Sequence, residues 1–297
     1  MNTVKDWAGI ACPAPWRRRG LLRGAAGLLA AAATSACGIA PVVPSEGGGG
    51  AGLESDVAYG PLEQHRMTIY SQAGSGGERP VIVAFHGGFW QQGSRDEGQM
   101  HLMASRLAAR GAVVALADYR KYPQVRFPHF VEDGALALGW MAENAPRFGG
   151  DPRRLIAMGH SAGAHIAVLN ALDPRYLAPH GVRLAGAVGI AGPYGTWFQR
   201  HPLVSAVFPE GTEEASSPLL QARGGRPPLL LVGAGLDVIC RPADNTELAE
   251  AVRAAGGEAE SHIYALANHV SLMLPPMPEA LFTVGDIARF MGRVRVG

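Results

Sequence analysis

The pentapeptide GHSAG at 159–163 fits the pattern G-x-S-x-G, with Ser161 at its centre. An apolar run at 155–158 precedes it, and a stretch of helical composition at 162–172 follows it. These flanks predict a sharp turn from a strand into a helix, which presents the serine hydroxyl at its apex and needs small residues at both ends of the motif. We interpret Ser161 as a nucleophile. A glycine-rich turn in which the serine only caps the helix is the alternative.

A serine nucleophile needs a histidine to take its proton and a carboxylate to orient that histidine, here in the chain order serine, acid, histidine. Only His262 and His269 lie late enough in the chain, and His262 falls within a strand-like run. His269 lies in the following loop, so we predict it as the general base. Asp237 comes just after an apolar run, where catalytic groups gather at the carboxyl ends of parallel strands. Asp244 competes, but it reads as an acid in the first turn of a helix.

The tripeptide His86-Gly87-Gly88 follows another apolar run and suggests an oxyanion hole. Two glycines let backbone N–H groups face a ligand, and the N–H of Ala162, next to the nucleophile, is expected to point to the same place. We therefore predict Gly87, Gly88 and Ala162 as oxyanion donors. His86 is expected to brace this loop, and a plain tight turn after a strand is the alternative.

Aromatic residues near these motifs are candidates for a substrate pocket, although they could equally pack in the core. The irregular segment between 192 and 228, rich in proline and aromatic residues, is interpreted as a lid or as an insertion packed over the sheet. The predicted substrate-binding residues are Phe89, Trp90, His160, Trp197 and Phe198.

From residue 53 to 297, apolar runs alternate with amphipathic stretches, which is typical of a mostly parallel sheet covered by helices on both faces. The continuity of this alternation favours one domain. The predicted strands lie at 80–85, 112–116, 155–158, 185–190, 229–232 and 259–264. The predicted helices lie around 100–107, at 130–144, 162–172 and 243–255, and around 278–291.

Taken together, these motifs resemble the α/β-hydrolase family, and within it the carboxylesterase and feruloyl-esterase-like branch. That branch shares H-G-G-x-W and G-H-S-A-G-A-H with kynurenine formamidases, and both patterns occur here at 86–90 and 159–165. The stretch 118–120 followed by 127–128 also resembles a family segment that shapes the entrance. The resemblance implies an α/β-hydrolase fold and hydrolysis of a small ester through an acyl-enzyme, without a metal or organic cofactor.

Other functions remain open at this level. An arylformamidase (kynurenine formamidase-like) or other amidase shares the motifs. Kynurenine formamidases act in tryptophan breakdown, which is expected inside the cell, whereas the N-terminus of this chain resembles an export signal. A peptidase of the prolyl-oligopeptidase type shares the triad but normally carries a further domain. A non-catalytic binding lipoprotein on this fold would normally have lost a triad residue. No cluster of histidine, cysteine or carboxylate residues has metal-ligand spacing, and the glycines at 233–235 lack the third glycine of a dinucleotide site.

The N-terminus resembles a bacterial export signal covering residues 1–36. Twin arginines at 18–19 precede an alanine-rich stretch, and Thr34-Ser35-Ala36-Cys37 resembles a lipobox that would lipidate Cys37. Ordinary signal-peptidase cleavage and an uncleaved anchor helix at 21–43 are the alternatives. Residues 37–52, rich in glycine and proline, are predicted to tether a catalytic domain at 53–297 to the membrane in the bacterial periplasm.

Charge argues against a nucleic-acid partner. The 297-residue chain has a net charge of +1, but residues 1–36 hold five of its 26 basic and one of its 25 acidic residues. The remainder therefore carries a net charge of −3, which disfavours phosphate backbones. No stretch after residue 45 is long and apolar enough to span a bilayer. The expected partners are a small ester substrate and, through the lipid, a membrane.

Overall fold

A computed structural model describes residues 51–72, 77–274 and 278–296. The strands are β1 (Ala51–Ala58), β2 (Arg66–Gln72), β3 (Arg79–Phe85), β4 (Val113–Ala117), β5 (Gly150–His160), β6 (Gly186–Ile190), β7 (Leu229–Ala234) and β8 (Ala259–Tyr264). The α-helices are α1 (Gly98–Ala108), α2 (His129–Asn144), α3 (Ala162–Leu172), α4 (Pro174–Leu177), α5 (Glu213–Ser216), α6 (Pro242–Ala254) and α7 (Pro278–Arg293). Among the residues so described, no helix has the length and apolar character to cross a bilayer.

The strands form one sheet in the order β1-β2-β4-β3-β5-β6-β7-β8. β3 to β8 run parallel to one another. β2 pairs antiparallel with β4, and β1 pairs antiparallel with β2 as the outermost strand on that side. The carboxyl ends of the parallel strands therefore meet at one edge of the sheet. This mostly parallel sheet with helices on both faces confirms the predicted α/β-hydrolase fold.

Alternate residues of the central strands enter two separate cores. In β3, Val81, Val83 and Phe85 pack with α2 and α3 on one face. Ile82 and Ala84 pack with α1 and α7 on the other face. Since side chains alternate along a strand, a sheet covered on both sides needs apolar residues at every position. This is why the inner parallel strands could be recognised as apolar runs, whereas β8, which has a neighbour on one side only, contains polar residues.

The antiparallel edge was not predicted, and one boundary needs correction. β1 has the sequence AGLESDVA, in which polar residues interrupt the apolar ones, and most of its residues are exposed. It begins at Ala51, so the last two residues assigned to the tether belong to the sheet. The export signal at 1–36, Cys37 and the rest of the tether lie outside the described residues.

The irregular segment between β6 and β7 packs on the domain. It contains the short helix α5 and two 3-10 turns at Phe198–Arg200 and Pro218–Gln221. Its side chains Phe198, Val207 and Phe208 are buried in the core on the α2–α3 face. Of the two interpretations, the structure shows the packed insertion.

Candidate active site

Ser161 lies in a strained turn between β5 and α3. Its backbone angles are φ 55° and ψ −119°, a combination that costs about 1–3 kcal/mol for a residue with a side chain. The flanking glycines make the turn possible. A Cβ on Gly159 would lie 2.1 Å from the carbonyl oxygen of Gly163, and one on Gly163 would lie 2.1 Å from that of Phe85. The G-x-S-x-G motif thus forms the predicted sharp turn, a nucleophile elbow at residues 159–163, with only 6% of Ser161 exposed.

Asp237 and His269 meet at the carboxyl edge of the sheet. His269 Nδ1 donates a hydrogen bond of 2.8 Å to Asp237 Oδ2. Asp237 Oδ1 accepts from the backbone N–H groups of Ile239 at 2.8 Å and Cys240 at 2.9 Å. This pairing fixes the imidazole tautomer, because a proton on Nδ1 leaves the Nε2 lone pair of a neutral ring available as a base.

The surroundings of Asp237 keep it ionised. Burial raises the pKa of its carboxyl group, but the hydrogen bonds from His269, Cys240 and Ile239 outweigh burial, so the pKa lies below its usual value. A carboxylate that accepts several N–H groups holds its charge more firmly than one in water. The negative charge is therefore present at neutral pH, where it would stabilise a protonated His269.

The loop after β3 lies directly against the nucleophile. A Cβ on Gly87 would lie 3.2 Å from Ser161 Cβ and 3.2 Å from His160 Nδ1, so only glycine leaves this gap open. Gly88 has φ +113°, a conformation that residues with a side chain rarely adopt. In the described parts of the chain, the backbone N–H groups of Gly87 and Gly88 make no hydrogen bond. They remain available to an oxyanion, as does the first N–H of α3, that of Ala162.

A buried network braces this loop, as expected for His86. His86 Nδ1 donates to the Gly87 carbonyl at 2.6 Å, and its Nε2 lies 3.4 Å from Asp118 Oδ1. The ring stacks on Tyr119 at 4.4 Å between centroids, and the Tyr119 hydroxyl donates to the His86 carbonyl at 2.9 Å. Arg95 Nη1 pairs with Asp118 at 2.5 Å. The sequence pattern alone did not predict these bracing roles of Asp118, Tyr119 and Arg95.

The predicted pocket residues separate into two groups. Trp90 and Phe198 are each only 2% exposed and belong to an aromatic cluster with Phe130, His165 and Phe208. Their assignment to a pocket surface is corrected, because both pack in the core. Phe89 and Trp197 are half-buried.

His160 lies beside the proposed base. Its Nε2 donates to the backbone carbonyl of His269 at 2.9 Å, and the two ring centroids are 4.8 Å apart. Burial, with a further contribution from His269, lowers the pKa of His160 to about 3. His160 is therefore neutral at physiological pH and positions the His269 loop.

The two competing candidates have other partners. His262 Nδ1 pairs with Asp286 at 2.7 Å, on α7. Asp244 Oδ2 accepts from the N–H groups of Tyr194 at 3.0 Å and Gly195 at 3.1 Å, and from Trp197 Nε1 at 2.7 Å. Asp244 thus anchors the segment after β6 onto α6, a role beyond the helix-dipole effect expected from sequence.

Cys240 lies beside the nucleophile and was not predicted as part of the site. Burial raises the pKa of its thiol well above the usual value, and Asp237 and Asp244 act in the same direction. The hydroxyl of Ser161 is a hydrogen-bonding neighbour of the thiol and opposes this rise.

No metal site is found in the described ranges, where no group of three or more His, Cys, Asp or Glu side chains is arranged to hold a metal ion.

Comparison with known proteins agrees with this geometry. Residues 67–177 match the BD-FAE family. The chain is 29% identical over 247 residues to the isoprenylcysteine α-carbonyl methylesterase ICME of Arabidopsis thaliana. That alignment covers 75% of this chain and 57% of the Arabidopsis protein. The chain is 32% identical over 197 residues to the esterase LipC of Mycobacterium tuberculosis, covering 59% of this chain and 48% of that protein. The chain thus spans about half of the length of these two relatives.

Among solved structures, the butyrate-bound esterase Est2 of the planctomycete Thermogutta terrifontis is similar, with a TM-score of 0.69 and 25% identity. The match covers 82% of this chain and 94% of that one. The same esterase phosphoramylated by tabun superposes with a TM-score of 0.70. The protein therefore has the fold of the α/β-hydrolase esterases, and its residues 67–177 match the BD-FAE family.

Proposed function

We propose that this protein is a serine hydrolase that cleaves carboxylic esters of small substrates through an acyl-enzyme. The observation that carries the proposal is the 2.8 Å contact between His269 Nδ1 and Asp237 Oδ2, at the edge of the sheet where Ser161 occupies a strained elbow. A charged acid, an oriented imidazole and a serine held at the apex of a sharp turn are the parts that acyl transfer requires.

In the proposed mechanism, His269 Nε2 takes the proton of the Ser161 hydroxyl while its oxygen attacks the ester carbonyl. The N–H groups of Gly87, Gly88 and Ala162 hold the resulting oxyanion, each contributing about 3 kcal/mol in the transition state. His269 then returns the proton to the leaving alcohol, and water releases the acid by the same route. Asp237 stabilises the imidazolium formed in both halves.

The relatives support a small acyl group. Solved structures of the similar Est2 esterase hold butyrate and propionate. Here Trp90, four residues after His86, stacks on Phe198, and both side chains are buried rather than open to a ligand. We propose short-chain esters as the substrate class.

The test is hydrolysis of a chain-length series of p-nitrophenyl esters by the full chain, with Ser161→Ala alongside. We expect turnover that peaks at short acyl chains and falls by at least about a hundredfold in the variant. Ser205→Ala, an exposed serine in the insertion, is the control and should retain turnover. Equal activity of wild type and Ser161→Ala would contradict the proposal.

An arylformamidase is the second candidate, because the motifs at 86–90 and 159–165 are those shared with kynurenine formamidases. The same proteins assayed on N-formylkynurenine distinguish the two. Ser161-dependent release of formate without ester turnover would favour the amidase. A folded protein inactive on both substrate classes would point to a non-catalytic binding protein.

We also propose that the chain is exported and carries a lipid on Cys37. The proposal rests on the order of basic residues, apolar stretch and Thr34-Ser35-Ala36-Cys37 in the sequence. Metabolic labelling with an alkynyl fatty acid, in wild type and Cys37→Ser, tests it. Label that persists in Cys37→Ser, or an unlabelled wild type, would refute lipidation. Fractionation of the same cells reports whether the protein leaves the cytoplasm.

A further inference from the structure

A cavity of about 550 Å³ opens at the edge of the sheet opposite the proposed active site. Ala185 and Pro228, which line it, directly precede β6 and β7, whereas Ser161 and Asp237 follow the carboxyl ends of β5 and β7. The five residues of β6 span about 17 Å in an extended strand. The cavity is therefore distinct from the catalytic edge.

Three arginines line this cavity, namely Arg183, Arg226 and Arg295, and no aspartate or glutamate does. None of the three forms a hydrogen bond or ion pair with any residue in the described ranges. Arg226 Nε is fully shielded from solvent and has no partner. Arg226 also borders a neighbouring groove that contains Glu214, but the two residues do not form an ion pair.

Two nearby arginines are neutralised by acidic partners, in contrast to the three that line the cavity. Arg153 pairs with Asp151 at 3.1 Å, and Arg175 pairs with Asp173 at 2.5 Å. Arg295 acts on Asp151 electrostatically, but that carboxylate is already held by Arg153. Three unpaired guanidinium groups around one concave surface create a positive potential that favours an anion.

The remaining walls are mostly apolar or backbone. The apolar lining residues are Pro174, Leu177, Val182, Pro227, Pro228 and Val296. Guanidinium groups match the oxygens of a phosphate with paired hydrogen bonds, and the apolar walls suit an uncharged carbon skeleton attached to it. We propose that this arginine cavity binds a phosphate-bearing anion through Arg183, Arg226 and Arg295.

Two sources could supply such a group, a soluble phosphate ester or the headgroup of an acidic phospholipid. The position at which the described chain begins is relevant to the phospholipid headgroup. Ala51 pairs with Gln72, and Tyr70 of β2 lies opposite Val114 near the start of β4. The described chain therefore begins at the amino edge of the parallel strands, the edge at which the arginine cavity opens.

The test compares the full chain with the variant Arg183→Gln/Arg226→Gln/Arg295→Gln. Inorganic phosphate is titrated by calorimetry, and flotation measures binding to phosphatidylcholine vesicles with and without phosphatidylglycerol. We expect the wild type to bind at least one probe, and the dissociation constant to rise at least about tenfold in the variant. Preference for phosphatidylglycerol vesicles would identify a lipid headgroup. Binding of phosphate without that preference would identify a soluble phosphate ester.

Arg110→Gln/Arg126→Gln/Arg200→Gln, three exposed arginines away from the cavity, removes the same charge and should bind like the wild type. Equal losses in both triple variants, or a wild type that binds neither probe, would overturn the proposal. Thermal unfolding and ester turnover should be unchanged in the cavity variant, so this test is independent of the proposed catalysis. Arg183→Gln alone, at an exposed position, serves if the triple variant does not fold.

Discussion

A Cβ placed on Gly163 would lie 2.1 Å from the carbonyl oxygen of Phe85. The first turn of the nucleophile helix thus rests directly on the end of β3, from which the His86-Gly87-Gly88 loop continues. This contact sets the spacing between Ser161 and the proposed oxyanion donors. It gives the second glycine of the elbow a role in the geometry of two motifs at once.

Gly163→Ala should therefore push the turn that carries Ser161 away from the His86-Gly87-Gly88 loop. We expect a cost of about 1–3 kcal/mol in the free energy of unfolding from overpacking, and a loss of about a hundredfold in kcat from displaced reacting groups. Urea unfolding and ester kinetics measure the two effects. The control is Gly292→Ala in α7, where an added Cβ meets nothing within 4 Å. A Gly163→Ala enzyme with wild-type kcat would mean that this spacing does not matter.

Asp237→Asn should lower kcat by about 10⁴-fold, because an amide in place of the carboxylate no longer fixes the imidazole tautomer or balances its charge. Since the pKa of Asp237 is lower in the folded protein, its charge contributes stability above the unfolded value of about 3.8. That contribution is lost as the pH falls through the folded value.

Urea unfolding of wild type and Asp237→Asn between pH 2 and 7 checks this dependence. The difference in unfolding free energy should be constant above about pH 5 and shrink below about pH 3.8. A difference that grows on acidification would show the opposite sign of the pKa shift.

His160→Gln should leave the shape of the pH–rate profile unchanged above pH 5, because the pKa of His160 is about 3 and the ring is already neutral there. Gln can still donate to the His269 carbonyl, so kcat should fall less than tenfold, whereas His160→Ala should lose more. The profile of kcat/KM against pH provides the measurement. Disappearance of an ionisation between pH 5 and 8 in His160→Gln would assign that ionisation to His160.

Asp244→Ala should destabilise the protein by about 3 kcal/mol, because it leaves three donors of the segment after β6 without their acceptor. The segment carries Trp197, so KM should rise more than kcat falls. Glu247→Ala is the matched control, since Glu247 forms only an exposed pair with Arg241 worth about 0–1 kcal/mol. If both variants unfold at the same urea concentration, Asp244 does not anchor the segment.

The sequence by itself determined the parallel strands, the helices between them and the elbow, because each depends on local patterns. A strand buried on both faces is a continuous apolar run, and the elbow needs glycines within two residues of Ser161. The antiparallel strands β1 and β2 escaped prediction. β1 is mostly exposed and carries polar residues that resemble a linker, and β2 mixes polar and apolar residues although its centre is buried.

Only the tertiary structure decided which distant residues meet. Asp237 contacts His269 across 32 positions, whereas Asp244 holds the backbone at 194–195, 49 to 50 positions away. Both acids follow β7. Asp237 accepts from the loop after β8, which carries His269, whereas Asp244 accepts from the segment after β6. The core positions of Trp90 and Phe198 were decided in the same way, because an aromatic side chain suits a pocket and a core equally until the packing around it is known.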